Sequence, residues 1–207
     1  NNSFEAANFP MGVKGGKTST CPTENLASAF EMKTGVPFDW NDENMRKNPY
    51  EKRDPRFYMT IVHNNMKWPA DKNVEIWEGG VNGLPLPNAT STGYYLCKYV
   101  NKSISFEPGA PTANAHHNWV LFRYAEVLLN YAEAVCESGL GDKTIAAKAL
   151  NDIRKRAAHT NEIELTRENV RNERFVELAF ENIRIWDLRR WRVLHTLMNN
   201  FSHDILV

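Results

Sequence analysis

Several things are missing from this 207-residue sequence, and each absence removes a class of protein. There is no charge excess, because 25 Lys+Arg balance 25 Asp+Glu. A general nucleic-acid binder needs basic residues to displace counterions from phosphates, so no nucleic-acid partner is expected. Apolar runs are only a few residues long, such as Val127–Leu129. A membrane-spanning helix needs roughly 20. Cysteine is scarce: Cys21, Cys97 and Cys136 are an odd number without Cys-x-x-Cys spacing, which suggests neither a disulfide framework nor a zinc site. The first residues, Asn-Asn-Ser-Phe-Glu-Ala-Ala, have no basic and no apolar stretch, so they do not read as a signal peptide. The sequons at Asn1, Asn88, Asn101 and Asn200 would matter only in a eukaryotic secretory setting.

Proline is absent from one half. All ten Pro and nine of the eleven Gly lie in residues 1–117, while 118–207 keep only Gly139 and Gly141. The first half therefore reads as a loop-rich region and the second as helical. In the first half, Thr23 can cap a helix over Glu24–Lys33 with Leu26, Ala29, Phe30 and Lys33 on one face and Gly35 beyond it. Phe57–Val62, Val74–Trp77 and Tyr94–Val100 have strand composition. Turn-rich segments lie between them, Asn64–Asp71 and Glu78–Gly93 included. In the second half, Leu121, Ala125, Leu128, Ala132 and Val135 repeat at helical spacing before Gly139. Asp142 can cap a second helix with Ile145, Ala149, Ile153 and Ala157 on one face. Thr166 can cap a third helix, and a fourth segment runs through Trp186, Trp191 and Leu194 with a kink near Asn182. Tyr124–Ala158 is one helical hairpin of near-tetratricopeptide length.

Chemical motifs are sparse. Met11–Ser19 contains Gly-Lys-Thr, the end of a phosphate loop, but Met11 stands where the motif needs Gly, and Pro22 denies it the following helix. Asp39, Asn41 and Glu43 alternate like a calcium loop, but its sixth position is Asn44 rather than Gly. His116-His117 lacks further ligands, so no metal and no cofactor is expected. On the last helices Glu168/Arg171, Arg174/Glu177, Glu181/Arg184, Arg184/Asp187 and Asp187/Arg190 are spaced by three and read as helix-surface ion pairs, with Arg174, Glu177, Glu181, Arg184 and Asp187 expected to be structural. Glu173 and Glu177 could in geometry serve as the acid/base pair of a glycoside hydrolase. The surrounding Arg residues, however, lower carboxylate pKa values, and a general acid needs the reverse. No catalytic residue is assigned.

Two stretches together resemble the SusD/RagB family of outer-membrane nutrient-binding lipoproteins. The first is Pro22–Lys33 with Asn48-Pro-Tyr-Glu-Lys-Arg-Asp-Pro-Arg-Phe-Tyr58. The second is Arg123–Ala134, Ala149–Ala157, Asn172–Glu181 and Asp187-Leu-Arg-Arg-Trp191. One departure is Asn182, where the family often has Gly. The resemblance implies a mostly α fold, with tetratricopeptide-like helical pairs, a loop-rich irregular capping region and a few short strands. It implies a non-enzyme that binds an oligosaccharide (starch-like or another glycan) or a peptide at the cell surface and delivers it to a SusC-like TonB-dependent transporter. It further implies an outer-membrane lipid anchor that this chain does not carry. Residues 1–117 and 118–207 would then be the C-terminal part of one larger domain.

Aromatic residues make up 11% of the chain. Sugar binding needs flat apolar faces plus amides or guanidinium groups for hydroxyls. On the loops, Trp68, Trp77, Tyr50, Tyr94 and Asn65 are the candidate ligand-binding residues, with Trp68 foremost because Met66-Lys67-Trp68-Pro69 lies in a turn-rich insertion. Trp119, Trp186 and Trp191 are expected in the helical core. The alternative to a glycan binder is a helical-repeat scaffold for a protein partner.

Overall fold

The computed structural model describes residues 2–68, 72–110 and 116–199. In chain order the elements are α1 (Ser3–Asn8), α2 (Glu24–Ala29), α3 (Glu43–Lys47), α4 (Pro55–Thr60), β1 (Ile61–Val62), β2 (Tyr95–Leu96), α5 (Tyr124–Ser138), α6 (Lys143–Arg156), α7 (Arg167–Glu177), α8 (Arg184–Arg190) and α9 (Leu194–Asn199). The fold is mostly helical, as expected. The sequons at Asn1 and Asn200 and the Pro69 position lie outside the described residues.

Two compact units emerge, and their boundaries fall within α2 and α4 and near residue 118. The loop-rich unit contains residues 2–27 and 58–118; the helical unit contains 28–57 and 119–199. Residues 28–57, rich in turns, thus belong with the helices.

In the loop-rich unit, β1 and β2 pair antiparallel, with Ile61 opposite Leu96 and Val62 opposite Tyr95. Around them lies a core of Phe9, Val62, Trp68, Val74, Ile76, Tyr95, Cys97 and Ile104. The edge of Phe9 meets Trp68 and Phe106, each at 5.5 Å between ring centroids. The Gly-Lys-Thr segment is no phosphate cradle. Thr18 Oγ1 accepts the Met11 N–H at 3.0 Å, closing the loop on itself. At Gly12, φ is +86°, and a Cβ there would stand 2.0 Å from the Val81 carbonyl oxygen. Only glycine lets these two loops approach so closely.

In the helical unit, Asp142 accepts the N–H groups of Thr144 and Ile145, and Thr166 accepts that of Asn169, so α6 and α7 start where their caps are. Gly139 takes φ +70° and ends α5. Leu129, Ala132, Leu150, Ile153, Val170 and Leu178 form the shared core of α5, α6 and α7. Of the expected α6 face, Ala149, Ile153 and Ala157 are buried, with Ala146 and Leu150 beside them, and only Ile145 is exposed. Leu121 precedes α5 and is 86% exposed, so it is not part of that helix's core face. Trp119 and Trp186 are likewise exposed rather than core.

Several expected elements change type or length. Val74–Trp77 forms no strand, and Tyr94–Val100 is a strand only over Tyr95–Leu96. Phe57–Val62 is not a strand throughout: α4 takes up Pro55–Thr60 and only Ile61–Val62 is extended. Asp54 Oδ1 accepts the Arg56 N–H at 2.8 Å, and Pro55 stands at the first helical position, where its missing N–H costs nothing. α2 stops at Ala29, because Arg53 Nη2 donates to the Phe30 carbonyl at 2.7 Å and the Lys33 N–H donates to Lys52. The kink expected near Asn182 is a full break between α7 and α8, with φ +61° at both Phe180 and Asn182.

Candidate functional site

Charge dominates the interior of the helical unit. The spacing of α7 turns Glu173, Arg174 and Glu177 inward, and all three are buried. Arg56, at the start of α4, donates through Nη1 to Glu173 at 2.5 Å and Glu177 at 2.8 Å, and through Nη2 to Asp54 at 2.7 Å. His159 Nε2 lies 2.9 Å from Asp54 Oδ2. Arg154 joins Glu173 to Glu31 at 3.2 and 2.7 Å. Arg123 holds both Glu177 and Glu181, at 2.6 and 2.7 Å. Arg174 clasps Asp187 with two donors at 2.8 and 2.9 Å. Arg190 and the Trp191 indole N–H both donate to Glu133.

Arg174, Glu177, Glu181 and Asp187 are therefore buried in ion pairs, but mostly with partners other than those expected. Arg174 pairs with Asp187 rather than Glu177, and Glu177 and Glu181 pair with Arg123 and Arg56 from outside α7. Arg184 stacks on the Phe175 ring at 3.9 Å instead of pairing with Glu181 or Asp187. Helix spacing gives neighbours on one helix, whereas packing brings closer partners from other segments. Burial raises the carboxyl pKa of Asp54 and Glu177, yet the hydrogen bonds and charges of His159, Arg56 and Arg123 more than offset it, so both are held below the usual carboxylate range. Glu177, held down in this way, is the opposite of a general acid.

The aromatic candidates scatter. Trp68 is 2% exposed and sits in the core against Phe9, so it offers no face to a sugar. The turn-rich insertion folds back: the Trp68 N–H donates to Lys72 O and the Val74 N–H to Met66 O, which turns the indole inward. Tyr94 is equally buried, its hydroxyl donating to Glu24 at 2.8 Å. Tyr50 belongs to the helical unit and stacks on Phe57 at 6.3 Å. Two candidates remain at the surface of the loop-rich unit. Trp77 is 37% exposed, and Asn65 is exposed in a left-handed turn with φ +63°. Their segments are neighbours: the Asn65 N–H donates to Val74 O, and the Ile76 N–H donates to Asn64 Oδ1.

The loop that carries Trp77 is fixed from beneath by Asn82. This side chain accepts the Glu75 N–H at 3.0 Å and donates to Met11 O at 2.6 Å, while the backbone carbonyl of Asn82 accepts the Tyr95 hydroxyl. Above it, Val81 and Leu84 are 62% and 52% exposed beside Trp77 in sequence. This pinned loop thus exposes three apolar side chains, Trp77, Val81 and Leu84. Val81 and Leu84 were not anticipated; the signal was an apolar residue between glycines, where nothing local can bury it. A groove of about 1210 Å³ along α6 is lined by Lys143, Lys148, Asn151, Lys155 and Asn161 but by no Trp, Tyr or Phe, so it has no face for a sugar ring. Among the described residues, no cluster of His, Cys, Asp or Glu could hold a metal ion, and no helix is long and apolar enough to cross a membrane.

The SusD family matches the chain over residues 2–205. The chain belongs to the SusD family. A SusD-like protein of Formosa agariphila is 33% identical over 117 residues, 53% of this chain and 21% of that one. A SusD-like protein of Bacteroides fragilis superposes with a TM-score of 0.73 at 31% identity, covering 91% of this chain and 40% of its own. A SusD-like carbohydrate-binding protein of the same species gives 0.76 at 27% identity, covering 94% and 39%. Surface glycan-binding protein A of Bacteroides thetaiotaomicron, solved with laminarihexaose, gives 0.50 at 26%, covering 73% and 32%. The SusD-family chain thus spans about 40% of the length of the B. fragilis structures.

Proposed function

We propose that this SusD-family chain belongs to a lipid-anchored, cell-surface protein of the outer membrane that binds an oligosaccharide and delivers it to a SusC-like TonB-dependent transporter. The observation that carries the reading is Trp77, a half-open indole on a loop pinned by Asn82, with exposed Asn65 on the neighbouring segment. An indole face packs against sugar C–H groups and an amide meets hydroxyls. The carbohydrate-binding relatives of B. fragilis and B. thetaiotaomicron support the same class. The protein acts as a binder, not an enzyme. We read the loop-rich unit as the cap and the helical unit, which takes in residues 28–57, as the helical part of one larger domain.

Affinity electrophoresis through gels containing starch, laminarin and other polysaccharides tests this. The wild type is retarded on at least one glycan. Trp77→Ala loses about tenfold in affinity, equivalent to about 1.4 kcal/mol, while its thermal midpoint stays put. Incubation with the retained glycan releases no reducing sugar. Co-purification with the SusC-like transporter tests delivery. No retardation of either this chain or a full-length protein on any glycan refutes the sugar reading, and binding of peptides instead replaces the ligand class.

A further inference from the structure

We propose that Arg171 and Arg184, set against Trp191, form an oxyanion-binding site that takes a carboxylate or sulfate group. In the helical unit Arg53 donates to the Pro49 and Phe30 carbonyls, while Arg56, Arg123, Arg154, Arg174 and the more open Arg190 each have at least one carboxylate within 3.2 Å. Arg184 has none among the described residues. Asp187, one turn along α8, is already held by Arg174 and Arg190, each at 2.8 Å. The Arg184 guanidinium instead lies over two rings, 3.9 Å from the Phe175 centroid and 5.8 Å from that of Trp191. Arg171 approaches the same indole at 4.5 Å. One of its terminal nitrogens reaches Glu137 at 3.2 Å, and its buried Nε has no partner.

Three guanidinium groups thus stand over one indole, Arg190 at 5.5 Å being the third, and of these Arg184 alone has no salt-bridged carboxylate among the described residues. A partly buried guanidinium without a paired anion is unfavourable, and an oxyanion held by Arg184 and Arg171 relieves that cost. Burial pushes the Arg184 guanidinium down, the Asp187 charge partly offsets this and Arg171 adds to it, whereas Arg56, Arg123 and Arg190 are pushed up by their carboxylates. The stacking uses the faces of the Arg184 guanidinium. Its N–H groups lie in the guanidinium plane and remain free for a ligand. A guanidinium fork matches the two oxygens of a carboxylate or sulfate, which a halide cannot offer. The anion can be free in solution or carried on an acidic saccharide. The site lies in the helical unit and does not rest on the Trp77 reading.

The test uses the whole chain and follows the indole and guanidinium N–H signals by heteronuclear NMR. Sodium acetate, sulfate and chloride are added at constant ionic strength. Acetate and sulfate shift the Trp191, Arg171 and Arg184 signals saturably and chloride does not. Arg184→Gln weakens sulfate binding by about tenfold or more, while Arg189→Gln stays within about twofold. An oligogalacturonide binding more tightly than acetate, with a neutral oligomer of equal length silent at these signals, identifies an acidic saccharide as the source; equal affinities identify the free anion. Chloride acting like sulfate, or Arg184→Gln leaving affinity unchanged, overturns the site. If Arg184→Gln fails to fold, Arg184→Lys decides: it keeps the charge but lacks the fork, so undiminished selectivity for sulfate over chloride refutes the proposal.

Discussion

The two units bury polar groups in different ways. Among the described residues of the loop-rich unit the buried polar ones are Glu5, Asn8, Glu24, Thr60, His63, Asn82 and Thr90, with no Arg or Lys among them. In the helical unit they include Arg53, Asp54, Arg56, Glu133, Arg154, Glu173, Arg174, Glu177, Glu181 and Asp187. Loops have many unpaired backbone groups, and short amides and hydroxyls satisfy them one at a time. Helices satisfy their own backbone, so polar side chains between them are free to bond to each other. Oppositely charged pairs then penalise every wrong register. The difference suggests that the loop unit can vary its tips while its anchors stay, whereas the helical unit tolerates little change inside.

The largest test is Arg56→Met. It removes the donor shared by Asp54, Glu173 and Glu177 and leaves three buried carboxylates near one another. Breaking a buried pair on one side costs about 3–5 kcal/mol. Urea unfolding should show that loss, and hydrogen exchange should show it in α7 before β1 and β2. A loss below about 1 kcal/mol would mean that hydrophobic packing alone holds these helices.

Asn82→Ala is the counterpart in the loop unit. It leaves the Glu75 N–H and the Met11 carbonyl unpaired in a buried place. We expect a loss of about 2–3 kcal/mol, since each stranded group costs about 1–3 kcal/mol and water can reach part of the gap. Exchange should rise over residues 75–84 and leave α5–α7 protected. If exchange rises equally everywhere, the units do not hold themselves separately.

A gentler perturbation is pH. Asp54, Glu133 and Glu177 have native pKa values below the ordinary carboxylate range. The stability they supply is complete above the unfolded value near about 4 and is lost as pH falls through the native values. Burial raises Cys21, Cys97 and Tyr95 in the loop unit, so their contribution is complete below the ordinary thiol and phenol values and fades as pH rises past them. Cys136 in the helical unit shares the alkaline behaviour, but no lowered carboxylate lies in the loop unit among the described residues. At about pH 3 helical-unit amides should exchange first. Loss of both units together would remove the distinction.

What could be read from the sequence follows the same division. Helix ends carry local chemistry, so Asp142, Thr166 and Gly139 stand where their residue types require. Asn182 adopts the left-handed conformation that a family glycine would take freely. Ion-pair residues were legible and so was the Asp187–Arg190 pair one turn apart, but most partners were not, because Arg56 and Arg123 lie far from α7 in sequence. Asp54-Pro55 was a usable helix-start signal within a segment whose β-branched and aromatic residues suggested strand. Trp68 could not be placed, since a turn-rich neighbourhood does not say which way a side chain points. Trp77 and Trp68 look alike in sequence, and only the fold-back of residues 66–74 separates them.

The smallest effect is expected on α6, which carries both kinds of charge. Arg154 is buried between Glu31 and Glu173, while Lys148 pairs with Asp152 at 2.5 Å in the open, with side chains 71% and 46% exposed. The shorter contact is the weaker one in stability. Water already solvates both of its ions, and holding two long side chains together costs entropy. Lys148→Ala should therefore leave the thermal midpoint unchanged at physiological salt, while Ala itself favours the helix. A clear drop would show that surface charge supports this helix as strongly as the buried network does. The contrast between the two units would then reflect the amount of charge in each rather than its burial.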